Sequence, residues 1–235
     1  MIDKNSIILQ KCTNARYVEV CEMHYTENGV KKRWEVVRSS DSVSILLNNV
    51  ESKNLIIVRQ FRPAVFLRNN DGYMFELCAG LVDKEGKSLE QIAREEVLEE
   101  CGYEAKDLQK IGEFYSSVGT SGAKQSVFYA EVCNDDKKTN GGGIDDEFIE
   151  IIEIPHKNVL SFLQTPNITP SLGFAFMWFL QKSQNPTIKK IADSQNPAQD
   201  SQNLNIKKGA DSQNPARDSQ NPAQKSQNPP QKESH

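Results

Sequence analysis

Aromatic residues stop abruptly at Phe179: every Phe, Tyr and Trp of the 235-residue chain lies before Ser183, so any packed core must come from the first 182 residues. The remainder is mostly Ser, Gln, Asn, Pro, Lys and Asp with scattered Ala and a few Ile or Leu, and Ser-Gln-Asn recurs from Ser183, Ser194, Ser201, Ser212, Ser219 and Ser226. Stacked repeats need an apolar face, which these units lack. Ordering 53 such residues would cost about 80 kcal/mol of conformational entropy at roughly 1.5 kcal/mol each, with little burial to offset it. The expected organisation is therefore one domain over residues 1–182 and a disordered tail over 183–235. A tail that acts as an array of partner-binding motifs is the alternative.

The formal charge of −4 averages two unlike regions. Residues 183–235 hold seven Lys/Arg and five Asp/Glu, which leaves 21 against 27 in the first 182 residues. An acidic domain disfavours nucleic acid and anionic membranes as partners, so a phosphate-bearing ligand would need a local basic patch or a metal ion. Cys12, Cys21, Cys78, Cys101 and Cys133 are odd in number and never paired as CxxC, and the three histidines are far apart. Neither a disulfide framework nor a zinc site fits that pattern. With no leader-like N-terminus and no long apolar run, the expectation is a reduced, cytoplasmic protein.

Short apolar runs separated by turn signals predict strands over Trp34–Arg38, Val43–Leu47, Leu55–Gln60, Tyr73–Leu77, Lys110–Ser116, Ser126–Val132 and Glu147–Ile154, in a mixed or antiparallel sheet. Two segments predict helices. Ser88–Cys101 carries Leu89, Ile92, Ala93, Val97 and Leu98 as its apolar residues, with Ser88 as N-cap and Gly102 as C-terminal stop. Ser171–Gln181, rich in Phe, Met and Trp, would cover the sheet. The expected fold class is α+β, a mixed sheet sandwiched between helices, with residues 1–45 as a small N-terminal β element.

The first of these helices bears Glu96, Glu99 and Glu100 on one face, at the i, i+3, i+4 spacing that brings side chains together. Like charges so placed destabilise a helix by about 0.2–0.5 kcal/mol per pair unless something neutralises them. A solvated acidic face is the plain reading. The helix, however, directly follows Ala79-Gly80-Leu81-Val82-Asp83, a strand end that can bring backbone carbonyls to the same place, and three carboxylates with a carbonyl suit a hard cation such as Mg²⁺.

From Gly80 to Tyr103 the chain resembles the Nudix box, G-x5-E-x7-R-E-U-x-E-E-x-G-U, most closely over Glu96-Val-Leu-Glu-Glu-Cys-Gly-Tyr103. Its front half departs from that pattern. The segment is one residue longer, Lys87 stands in the slot of the first glutamate, and Glu95 stands in the slot of the arginine. The family's early Glu and Arg brace the loop against the helix; here Lys87 with Glu95 would be the same brace with its signs exchanged, and Arg94 with Glu85 is the alternative. The resemblance implies Glu96 and Glu100 as direct metal ligands, Glu99 as ligand or supporting catalytic carboxylate, Ala79 as a carbonyl ligand, and Mg²⁺ as cofactor with Mn²⁺ as substitute.

Over about Val30–Lys182 the likeness narrows to the family's nucleoside diphosphate sugar branch, marked by Val58-Arg-Gln-Phe-Arg-Pro63 and Glu76-Leu-Cys-Ala-Gly80. That branch implies a pyrophosphatase with Arg62 on a substrate phosphate and Glu76 close to the metals. A surface ion pair is the plain reading of Arg62. Glu147, behind Asn140-Gly-Gly-Gly143, matches the branch's mobile catalytic glutamate, with Asp145 and Asp146 as fallbacks; the glycines could equally form a plain hairpin. Trp34 matches a strand position that stacks the substrate's base across a homodimer interface, although a strand Trp is more often core. Val118, where ADP-ribose hydrolases carry Pro, favours UDP-glucose over ADP-ribose as the substrate. Two other readings stay open: a Nudix-fold module that binds a nucleotide sugar without cutting it, and an interaction protein whose purpose lies in the tail.

Overall fold

A computed structural model of the protein describes residues 2–144 and 146–184. Asp145 and the expected disordered tail from residue 185 onward lie outside the described residues, while Ser183 and Gln184 close the last helix.

Alternation of side chains along three central strands explains why the sheet takes helices on both faces. In β3 (Ser42–Asn49), β4 (Asn54–Phe61) and β8 (Lys124–Val132), Val43, Ile45, Leu47, Ile56, Val58, Phe128 and Ala130 pack into one apolar cluster. Their neighbours Leu46, Leu55, Ile57, Val127 and Tyr129 pack into another on the opposite face. Strands buried on both sides read as continuous apolar runs, as these do. The first cluster is closed by α2 (Leu89–Glu96) through Ile92, Ala93 and Val97, and the second by α4 (Pro170–Gln184) through Leu172, Ala175, Phe176 and Phe179. The fold is thus the expected α+β sandwich, and α4 matches the predicted second helix with one residue more at its start and three at its end.

Strand pairing is mixed. β3 pairs parallel with β8 and antiparallel with β4, β8 pairs antiparallel with β7 (Gln109–Tyr115), and β9 (Glu150–Pro155) lies along the far side of β4. β3 and β4 stay together only over Leu47–Asn49 and Asn54–Ile56, then separate. The gap is filled by one extended segment that changes partner midway: β5 (Tyr73–Glu76) pairs with β4, and β6 (Cys78–Leu81) pairs with β3. Glu76, Ala79 and Gly80 consequently sit where the two strands diverge.

Sequence reading missed β1 (Val18–Glu27), whose apolar residues alternate with charged ones. β1 pairs with β2 (Val30–Ser39) in a two-stranded hairpin outside the main sheet. Also missed were α1 (Pro63–Asn69) and α3 (Val159–Phe162), both too short for a periodic signal. Among the described residues no helix is long and apolar enough to cross a membrane.

The helix after β6 begins as expected, with a reciprocal capping box: Gln91 N–H donates to Ser88 Oγ at 3.2 Å and Ser88 N–H donates to Gln91 Oε1 at 2.8 Å. It continues past Glu96 as a π-helical turn over Val97–Cys101 and stops at Gly102, whose φ of +78° is left-handed. Leu98, six residues after Ile92 and so on the other side of the helix, is exposed rather than part of the apolar face. At Gly102 a Cβ would stand 2.2 Å from the Thr139 carbonyl oxygen. Gly102→Ala is therefore expected to lose at least the 1–2 kcal/mol of left-handed strain, roughly, before the clash is counted; a urea unfolding midpoint equal to wild type would contradict this.

Candidate active site

Two elements bring the predicted residues to one place: the partner-switching segment Tyr73–Leu81 and the helix ending at Gly102. Their approach is close, since a Cβ on Gly80 would fall 2.1 Å from the Glu96 carboxyl carbon. Glycine at position 80 is what admits the Glu96 side chain. Glu100, 4% exposed, is buried against the same segment and accepts a hydrogen bond from Ala79 N–H at 3.0 Å.

The cleft that results has a volume of about 610 Å³, and its lining includes Arg62, Glu76, Ala79, Lys84, Glu96, Glu99, Glu100 and Glu147 together with Tyr17, Gln60 and Gln125. Its size falls within the range of small-molecule sites. A groove of similar size, about 660 Å³, lies along α4, but its lining of Leu160, Phe174, Met177, Trp178, Leu180 and Gln181 bears no titratable group. Chemistry, not volume, separates the two.

Arg62 follows β4 and holds Glu76 by a two-point pair, Nε to Oε1 at 2.8 Å and Nη2 to Oε2 at 2.6 Å. Arg62 is thus ion-paired, as its plain reading has it, and the pair orients its guanidinium plane in the cleft wall. Hydrogen bonding to Glu76 raises the Arg62 pKa further despite partial burial.

Burial dominates the electrostatics of the carboxylate face. Desolvation pushes Glu100 up to about 8, with the Cys78 thiol and the Ala79 amide opposing it and the Glu96 and Glu147 charges adding to it. Desolvation likewise raises Glu96, with Lys84 opposing it and Glu99 adding to it. A divalent cation fits this set of donors: the side chains are all oxygen ligands, and a buried carboxylate held above neutrality is one that a nearby positive charge would return to its anionic form. Among the described residues, no three such groups are yet drawn together closely enough to enclose an ion.

The front of the box resolves into the sign-exchanged brace. Lys87 Nζ bonds both oxygens of Glu95, at 2.6 and 2.7 Å, and Lys84 Nζ adds a third bond at 3.1 Å. Arg94 instead donates to the main-chain carbonyls of Lys106 and Glu90, and among the described residues it makes no ion pair with Glu85.

Glu147 lies in the same cleft, but not at the start of a strand. β9 begins at Glu150, and the Glu147 and Ile149 amides before it donate to the Ile144 and Gly142 carbonyls at 3.0 and 3.1 Å. Gly142 N–H donates to the Glu100 carbonyl at 2.8 Å and Gly143 N–H to the Glu99 carbonyl at 3.2 Å, so the glycine stretch caps the carbonyl end of the helix. Beyond that anchor the Glu147 carboxylate, on an exposed residue, accepts a bond from Ile144 N–H at 3.3 Å. Asp146 is exposed nearby, and Asp145 is outside the described residues.

Trp34 is placed elsewhere. Half exposed on β2, it donates from Nε1 to the Gly119 carbonyl at 2.8 Å and shares a second pocket with Val118 and Gly119. It is not core, and within one chain it does not join the carboxylate cleft. Sequence reasoning missed Lys84 and Tyr17. Neither falls in a slot of the box, and neither carried a signal in the amino-acid order.

A family model for the NUDIX domain matches residues 38–170. The chain belongs to the Nudix family. It is 33% identical to the uridine diphosphate glucose pyrophosphatase NUDT14 of Bos taurus, across 74% of this chain and 92% of that protein. The Mus musculus protein of the same name is 34% identical across 73% and 91%. A GDP-mannose pyrophosphatase of Shigella flexneri is 33% identical across 66% of this chain and 80% of its own length.

Glu100 makes the metal-free protein sensitive to pH. A carboxyl whose pKa is higher folded than unfolded binds its proton more tightly in the fold. Its stabilising contribution is full below the ordinary value of 4.5 and is lost as pH climbs through about 8. Melting temperatures in EDTA should show Glu100→Gln gaining on wild type between pH 5 and pH 8; a constant difference across that range would contradict the burial.

Proposed function

We propose that the protein hydrolyses the pyrophosphate bond of a nucleoside diphosphate sugar, with Mg²⁺ or Mn²⁺, and that a UDP-sugar is its preferred substrate. The observation that carries this reading is the joining of Arg62, Glu76, Glu96, Glu99, Glu100 and Glu147 in one cleft of about 610 Å³. An acidic cleft repels a bare diphosphate, so a basic side chain and a cation are both required of it.

Glu96 and Glu100 would hold the cation, with Glu99 as a further ligand or support and the Ala79 carbonyl at the strand end. Bound there, a divalent ion offsets the charge of the diphosphate and makes a coordinated water more acidic. Arg62, oriented by Glu76, binds a phosphate oxygen. Glu147 orients or deprotonates the attacking water. The water oxygen bonds to one phosphorus as the bond from that phosphorus to the bridging oxygen breaks, which yields a nucleoside monophosphate and a sugar phosphate. Preference for a UDP-sugar is supported by Val118 and by the names of the two mammalian relatives.

The same reading includes a homodimer built through the β1–β2 hairpin, in the cytoplasm. Val20, Met23, Val30 and Trp34 are exposed on that hairpin, and a second copy would cover them. Trp34 would then stack on the base of a substrate held by the partner subunit.

Hydrolysis of UDP-glucose, ADP-ribose, ADP-glucose and GDP-mannose with Mg²⁺, followed by phosphorus NMR of the products, tests the substrate. UDP-glucose should have the highest kcat/KM. Glu100→Gln should lower turnover by several orders of magnitude with the fold retained, whereas removal of residues 185–235 should leave turnover nearly unchanged. Near-wild-type activity in Glu100→Gln would defeat the assignment, and tight binding of all four compounds without cleavage would favour a sensing module.

A further inference from the structure

Lys84 stands in the loop between β6 and α2, and no part of the reading above uses it. Its ammonium lies 3.1 Å from Glu95, 3.6 Å from Glu96 and 3.9 Å from Glu99. Two of those carboxylates are the ones assigned to a cation. The separations from Glu96 and Glu99 exceed the ordinary hydrogen-bond range of about 2.7–3.2 Å, so Lys84 serves these two as a nearby charge and not as a fixed donor.

Its neighbour Lys87 is held differently. Both oxygens of Glu95 are bonded to Lys87 Nζ at 2.6 and 2.7 Å, so the loop keeps its brace if Lys84 leaves. Lys84 itself is one-third exposed, and partly solvated ion pairs of that kind are readily exchanged. The two lysines divide the work: one secures the loop, and the other covers negative charge.

We propose that Lys84 is the internal counter-ion of the carboxylate face, that a divalent cation must displace it to bind, and that the released ammonium then meets the diphosphate of the substrate. This rests on the reading that Glu96, Glu99 and Glu100 hold the metal. A divalent cation held by Glu96 and Glu99 would set positive charge against the same oxygens that the Lys84 ammonium faces, and like charge would repel the ammonium. Without a cation, the face would otherwise leave Glu96 and Glu99 mutually repelling beside the buried Glu100. The displaced ammonium stays in the cleft it lines together with Arg62, and its flexible four-carbon stem lets it turn to a new anion. Metal affinity is thus an exchange affinity, weaker than the carboxylates alone would give.

The full chain, its Lys84→Met and Lys87→Met variants, and Glu96→Gln should be titrated with Mg²⁺ alone by calorimetry. Lys84→Met is expected to bind Mg²⁺ about 5- to 10-fold more tightly than wild type, at the low end of typical coupling between sites, and to melt lower in EDTA. Lys87→Met should show no such tightening. Unchanged or weaker binding in Lys84→Met, or equal tightening in both lysine variants, would overturn the proposal. If Glu96→Gln fails to weaken binding, the metal assignment itself is wrong; if it weakens binding while Lys84→Met does not tighten it, only the role of Lys84 falls. At saturating Mg²⁺, Lys84→Met should raise KM for the nucleotide sugar with kcat within about twofold, and an unchanged KM would remove the contact with the diphosphate.

Discussion

A carboxylate buried at the end of a helix is the constraint around which this structure is arranged. Glu100 is nearly inaccessible, and its burial beside Ala79 requires that β6 run close along the helix. Glycine at position 80 leaves the space that the Glu96 side chain fills along that approach. The partner switch between β5 and β6 supplies the path, because only a strand crossing the gap between β3 and β4 can present Glu76, Ala79 and Gly80 to one helix end. Desolvation keeps Glu100 inclined to hold its proton, and a cation would relieve it. The core and the chemistry are joined at that residue.

The far side of the helix end is closed by the glycine stretch after Asn140. Its amides satisfy the Glu99 and Glu100 carbonyls that a terminating helix leaves open, so the loop carrying Glu147 is tied to the backbone of the residues it would work beside. Anchor and reach are separate within the loop: Gly142 and Gly143 are pinned, and the acidic residue that follows projects into the cleft.

Local chemistry made several of these features legible in the amino-acid order. The limits of the carboxylate helix were readable because the Ser88 cap and the Gly102 stop involve neighbours within a few residues. The exchange of signs at Lys87 and Glu95 was readable for a like reason: counting along the box placed two opposite charges in two slots known to meet, and they bond. What escaped reading depends on the path of the chain. Lys84 reaches Glu95, Glu96 and Glu99 only because the loop folds back over the helix, and spacing along the chain carries no trace of that. The strand expected from Glu147 begins three residues late: the Glu147 and Ile149 amides turn back to the Ile144 and Gly142 carbonyls of the loop, a local pairing invisible in a run of apolar residues.

The sequence by itself determined where a core could form, which apolar runs would become its central strands, and that one helix would gather its glutamates on one side, since these follow from composition, from the length of the runs and from the helical period of 3.6 residues. Tertiary structure alone decided that β3 and β4 part, that a single segment bridges them, that Trp34 joins the Val118 loop instead of the carboxylates, and that an ammonium lies over Glu96 and Glu99. Those outcomes are set by contacts between residues distant in the chain, whose energies arise only once the sheet exists to bring them together.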